Sequence, residues 1–238
     1  MRSVRIALAV ALCSGCGAQI SDGGEPSVGG ALAPDGGSGP ACTRRTVYLN
    51  FDGQALIQGP SDARLNQASW MTLPAGVALP YRLGTTDRDH GIQTIVDGVT
   101  AELARFPITV TRTRPSTGDY VMIVYGGTAD TVGSNFGAAV NQLDCGDARP
   151  DDVAWLSDSV TGTRAINDTI GAIGFGLGLT ATTDAHDCMC SWANGCRIDN
   201  STPCTLGSPI ARDPDASQLC PGTTTQDEVA AFRTAFCP

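Results

Sequence analysis

Hydrophobic and polar positions alternate at the start of the patterned part of the chain. Val47, Leu49 and Phe51 alternate with more polar neighbours, the two-residue period of a half-buried strand over residues 46–51. Residues 58–86 are rich in Pro and Gly and read mostly as loop. The period then lengthens: Ile92, Ile95, Val96, Val99, Leu103 and Phe106 share one side of a helix over 89–106, which Pro107 ends. Strands follow at 108–113 and 120–125, separated by a turn over Pro115 to Gly118, and a short strand at 153–156. A glycine-rich helical run covers 165–178. A last helix over 226–236, after a threonine cap, brings Val229, Phe232, Arg233 and Phe236 together. The order predicts an α/β (α+β) fold with a sheet and two core helices.

The run 165–178 needs its own explanation. A helical Gly costs about 1 kcal/mol relative to Ala, so Gly171, Gly174 and Gly176 together cost about 3 kcal/mol. Burial must offset that, and Ile170, Ile173, Leu177 and Leu179 predict close packing of a buried helix against the sheet. A membrane-spanning GxxxG contact does not suit the run, which is short and interrupted by Asn167 and Asp168.

The first residues carry an address rather than a fold. Arg2 and Arg5 precede an apolar stretch from Ile6 to Leu12, and Ser14-Gly15-Cys16 follows, so residues 1–16 read as a signal peptide with a small-residue cleavage site. Cys16 resembles the lipidated cysteine of a bacterial lipobox, with Cys13 departing from the usual aliphatic residue. Gly17 in place of Asp favours the outer membrane by the same resemblance. Simple secretion is the alternative. Residues 17–41 are Gly, Pro, Ser and Ala with scattered acids and read as a flexible tether, leaving 42–238 as one domain.

A net charge of -9 and a pI near 4.5 argue against nucleic acid as a partner. All 15 basic residues are Arg, so chemistry through a lysine Schiff base has no residue to carry it. Of the 10 cysteines, Cys13 and Cys16 belong to the signal region. Cys42, Cys145, Cys188, Cys190, Cys196, Cys204, Cys220 and Cys237 remain, an even set that predicts disulfides in an exported chain. A metal site from His186, Cys188, Cys190 and Cys196 is the competing reading, because thiolates and imidazole suit zinc.

Residues 171–181 have the frame of a zinc-peptidase helix. Against HExxHxxGxxH, Gly171 and Phe175 stand at the helical His pair, Ala172 at the Glu, Gly178 at the Gly and Ala181 at the third His, so only the glycine matches. Asp187-Cys188-Met189-Cys190 resembles the stretch that carries the Met-turn, at Met189, in secreted bacterial zincin-like lipoproteins. Residues 46–53, 109–115, 118–124, 126–127 and 143–146 resemble the same pattern. The chain thus resembles a degenerate metzincin-type zinc metallopeptidase over about 46–190. The resemblance implies a zincin-like mixed twisted sheet with two core helices and a disulfide-rich C-terminal part. It also implies disulfides between Cys145 and Cys188 and between Cys220 and Cys237, a membrane-anchored envelope protein, and no catalytic residue or cofactor. The former substrate cleft, beside an edge strand, is then expected to hold a peptide or protein by strand addition. Two alternatives stay open: a metalloendopeptidase with unorthodox zinc ligands, and a structural envelope lipoprotein without a ligand.

Other routes to hydrolysis find few residues. The chain has two histidines, His90 at a helix start and His186 near the Met-turn, too few for a three-His site. No G-x-S-x-G elbow is present. A free cysteine nucleophile is disfavoured by an even, oxidised set. The acid pairs Asp87 with Asp89 and Asp151 with Asp152 read as loop surface rather than as Ca²⁺ ligands or an acid and base.

Overall fold

Val47 and Leu49 lie on one face of the first strand and Tyr48 on the other, and all three are buried, because the strand sits inside a sheet covered on both sides. The computed structural model describes residues 45–192, 196–216 and 219–236. The signal peptide, Cys16, the tether, Cys42 and Cys237 lie outside the described residues. In chain order the elements are β1 (Thr46–Asn50), β2 (Gln54–Gln58), β3 (Gln67–Ala68), β4 (Ala75–Ala78), α1 (Arg88–Leu103), β5 (Thr109–Thr111), β6 (Tyr120–Tyr125), α2 (Ala129–Val132), β7 (Ala139–Val140), β8 (Val153–Leu156) and α3 (Gly162–Gly176). A 3-10 turn (Cys188–Trp192), β9 (Ile210–Ala211), β10 (Thr225–Gln226) and α4 (Glu228–Ala235) follow.

The main sheet runs β5-β1-β6-β8-β7. The first four strands are parallel and β7 is antiparallel to β8. Every residue of β6 is buried, as a central parallel strand requires. On one face Val47, Leu49, Val121, Ile123, Ala154 and Leu156 pack with α1 and α3. On the other, Tyr48, Tyr120, Met122, Val124, Val153 and Trp155 meet Leu56, Trp70 and Ala78. These last residues belong to a three-stranded sheet, β3-β2-β4, and its connections. Residues 58–86 are mostly loop, as expected, with the end of β2 and the short strands β3 and β4 set within them.

Helix α1 buries Ile92, Ile95, Val99 and Leu103 and ends at Leu103, three residues before the expected 106, in a tight turn leading to Pro107. It crosses α3 closely because Gly98 has no side chain: a Cβ there would lie 2.2 Å from Ile166 Cδ1. The last helix is capped by Asp227, whose side chain accepts from the Ala230 N–H, and not by a threonine. Its Phe232 and Phe236 enter the helical core beside Phe106.

Among the described residues three disulfides hold the C-terminal part: Cys145–Cys220, Cys188–Cys204 and Cys190–Cys196. The expected pairings of Cys145 with Cys188 and of Cys220 with Cys237 are therefore corrected. Cys188 faces the chain returning at 204–205, where Cys188 N–H also donates to the Thr205 carbonyl, while Cys145 sits on a loop beside the 219–220 segment. Among the described residues no helix is long and apolar enough to cross a membrane. The described residues form a mixed α/β fold with mixed sheets, four helices and these three disulfides.

Candidate functional site

Helix α3 lies buried along most of its length, with Ala165 to Gly174 inaccessible or nearly so. Its glycines are explained by what approaches them. A Cβ on Gly174 would lie 2.7 Å from Met189 Sδ and 3.2 Å from Leu179 Cδ1. One on Gly176 would lie 2.2 Å from Asp152 Oδ2 and 2.9 Å from Asn141 Nδ2. The packing expected from the sequence is present, and its partners are the Met189 turn and the residues around β7 and β8. Gly178, the one matching residue of the frame, adopts φ +83°, and a Cβ there would meet Asp144 O at 2.7 Å and Gly146 N at 2.8 Å. Both the left-handed backbone and the close approach require glycine.

The frame positions carry no ligand atoms. Gly171 and Ala172 are buried, Phe175 is half-buried, and Ala181 is buried beneath the following loop. Cys188 and Cys190, offered by sequence as metal ligands with His186 and Cys196, are in disulfides, so the thiolate set is corrected: no thiolate is available from these three cysteines. His186 is exposed, with its Nδ1 3.9 Å from Asp199, and His90 is exposed on α1. Among the described residues no three His, Cys, Asp or Glu side chains are grouped to hold a metal ion. The described side chains do not fit a zinc site.

What the structure places beside α3 instead is a strand edge. Strand β7 ends the main sheet, held on one side by β8 through Ala139↔Leu156 and Val140↔Trp155. A cleft of about 400 Å³ lies between the segment leading into β7, α3 and the chain after Cys196; Phe136, Ala139, Arg164, Asp168, Arg197 and Asn200 border it. A second cleft of about 400 Å³ is bordered by Trp70, Phe136, Val140, Leu143, Phe175 and Leu219. Phe136 borders both and is 56% exposed, a large apolar surface left in solvent. Arg164, Asp168, Gly171 and Phe175 are spaced 4, 3 and 4 residues apart, so they form one stripe of α3. That stripe runs from the cationic cleft at Arg164 to the apolar cleft at Phe175.

Two buried acid groups flank this region. Asp152, 2% exposed, has Oδ1 without a hydrogen-bond partner; burial first, then Asp144 and Asp147, pushes its carboxyl up to about 8. Asp187 and Glu228 form the other. Asp187 Oδ1 accepts from Thr182 Oγ1 and Met189 N–H, while Glu228 accepts from Gly207 N–H and Gln226 Nε2. Burial first, and then Asp187, pushes Glu228 up to about 8, and burial raises Asp187 as well. Each carboxyl bears on the ionisation of the other, which couples the Met189 turn to the start of α4. Asp151 is buried too: its Oδ1 accepts from the Tyr120 N–H and its Oδ2 bonds Arg64 Nη2. The expectation of a loop-surface pair at Asp151 and Asp152 is thus corrected, because the loop folds back under β6 before β8 begins.

Sequence reasoning did not find Phe136, Arg164, Arg197 or Glu228. Arg164 had a visible signal, its place one helical turn before Asp168 and on the stripe of Gly171 and Phe175. Phe136 and Arg197 lie in irregular chain, where no periodicity marks a face. Compared with protein-family models and with curated proteins, the chain matches none.

Proposed function

We propose that this chain is a catalytically inactive, zincin-like envelope lipoprotein that binds an extended peptide segment along β7. The observation that carries the reading is the outer edge of β7, unpaired among the described residues and bordered by two clefts, with Phe175 at the position of a helical His lining one of them. An unpaired edge offers backbone donors and acceptors to an added strand, and the apolar side chains of Phe136, Leu143, Phe175 and Leu219 offer pockets for alternate residues. The resemblance to metzincin-type peptidases is supported by the antiparallel edge strand beside α3, by Gly178 at the turn after the helix and by Met189 packed under Gly174. Loss of hydrolysis is supported by the side chains at the frame, none of which has a ligand or base atom.

Export is supported by the three disulfides, which persist in oxidising compartments. Attachment to the outer membrane through Cys16 rests on the lipobox-like sequence alone.

The test uses the chain produced with its own signal sequence and purified from the envelope without chelator. Saturable binding of members of an extended-peptide library, weakened by Phe136→Ser, is the expected result; Phe136 is exposed, so the change leaves the core intact. Absence of binding by every peptide overturns the receptor reading and favours a structural lipoprotein. Zinc near one per chain together with chelator-sensitive cleavage overturns the inactive reading in favour of a metalloendopeptidase. Labelling with a radioactive fatty acid that disappears in Cys16→Ser tests the anchor.

A further inference from the structure

The two clefts along β7 differ in charge, and the difference is built from few residues. At the Phe136 to Ala139 end, Arg164 and Arg197 both reach the cleft against one acid, Asp168. Asp168 is 4% exposed and already engaged, its Oδ2 lying 3.4 Å from Arg164 Nε. Both Nη atoms of Arg164 and all nitrogens of Arg197 make no hydrogen bond or ion pair among the described residues, in a chain whose formal charge is -9. Most other arginines of the fold are engaged: Arg45 with Asp147, Arg64 with Asp151, Arg82 with Asp87, Arg88 with Asp52, Arg114 with Asn66 and Arg212 with Thr180. The side chains of Arg105, Arg112, Arg149 and Arg233 also lack such bonds among the described residues, and what sets Arg164 and Arg197 apart is that both border one cleft.

Their placement is fixed by the fold. Arg164 stands in the first turn of α3, where the helix N-terminus adds positive potential. Arg197 follows directly after the Cys190–Cys196 disulfide. Asn200 is held by Asn167, whose Nδ2 donates to Asn200 Oδ1, which leaves the Asn200 Nδ2 as a further donor at the rim. The arrangement is a set of donors in excess of its one carboxylate, Asp168, beside a strand edge that runs on towards Phe175.

We infer that the Arg164–Arg197 cleft binds a carboxylate of the peptide seated on β7, either an acidic side chain or the peptide's own C-terminus. The inference rests on the peptide-binding reading given above and adds the class of residue recognised. Planar guanidinium groups pair bidentately with carboxylates, which makes the contact selective for an acid over its amide. The overall negative charge does not oppose it at this range, because exposed charges more than about 8 Å apart are screened at physiological salt.

The probes are fluorescent decapeptides of alternating Thr and Val, carrying Glu, Gln or Lys at one position, each made with a free and with an amidated C-terminus. Anisotropy titrations of the mature exported protein are compared with those of Arg197→Gln and Arg164→Gln, both exposed substitutions. The expected result is about ten-fold or greater tighter binding for a carboxylate-bearing peptide, reduced in each variant and by high salt. Preference for Glu over Gln among amidated peptides identifies a side chain as the source, and preference for the free acid among Gln peptides identifies the terminus. Binding of all peptides with equal affinity, or a preference that survives both substitutions, overturns the inference while the strand-addition reading stands. Binding of none overturns both.

Discussion

Met189 Sδ occupies the space that a side chain on Gly174 would fill, 2.7 Å from where its Cβ would stand. This contact joins the turn after the C-terminal crossing to the helix that lines the β7 groove, and both residues are fully buried. It also explains a glycine that helix propensity disfavours.

Gly174→Ala is accordingly expected to destabilise the protein despite the better helix former. Propensity contributes about 1 kcal/mol in favour, and overpacking a buried helix costs about 1–3 kcal/mol. In a Met189→Ala background the methyl enters the vacated space and the same change stabilises. Urea unfolding of the four proteins checks this, and additive effects with no coupling would remove Met189 as the reason for the glycine.

The Asp187–Glu228 pair makes stability fall with rising pH. Glu228 has its ordinary value of 4.5 in the unfolded chain and about 8 when folded, so between these values the folded state holds more protons. Its contribution is fully present below about pH 4.5 and is lost as pH rises through about 8. Glu228→Gln is expected to flatten this dependence, because an amide can donate to Asp187 without titrating. Unfolding free energies across pH 4 to 9 give the slopes, and an unchanged slope in the variant would show that Glu228 does not titrate in this range.

Asp152, beside Gly176 of α3, adds to the same trend. Its carboxyl is pushed up to about 8 by burial and by Asp144 and Asp147, so below that pH it is neutral in the fold. Asp152→Asn copies the neutral acid in shape. The variant is expected to match the parent to within about 1 kcal/mol at pH 5 and to exceed it in stability at pH 9. Lower stability at both pH values would mean that the ionised carboxylate is the native form.

The Cys145–Cys220 bridge spans a sequence separation of 75 residues and closes the longest of the three loops among the described residues. In the chain-entropy account such a loop contributes about 4 kcal/mol, against about 3 kcal/mol for one of some 15 residues. The double substitution to Ser is expected to lower the melting temperature more than removal of Cys190–Cys196, whose separation is 6. Peptide mapping without reduction should recover Cys145 joined to Cys220, and recovery of Cys145 with Cys188 would refute the pairing.

Where side-chain period and length were sufficient, the sequence determined the element. Residues 120–125 and 153–156 are the bounds of β6 and β8, because an apolar run between turn residues allows little else. The stripe of α1 and the burial of α3 were legible for the same reason, as was the even cysteine set. Strand β7 was not: at two residues, Ala139–Val140 shows no period, and its place at the sheet edge comes from pairing with β8, which follows it in the chain. Tertiary structure alone chose Cys204 over Cys145 as the partner of Cys188, because disulfide geometry depends on which chains return beside each other. It alone buried Asp152 and Glu228, which pushes both carboxyls up to about 8. The groove was decided there as well. Phe136, Arg164, Phe175 and Arg197 are distant in sequence, and only the crossing of α3 beside the β7 edge brings their side chains to one surface.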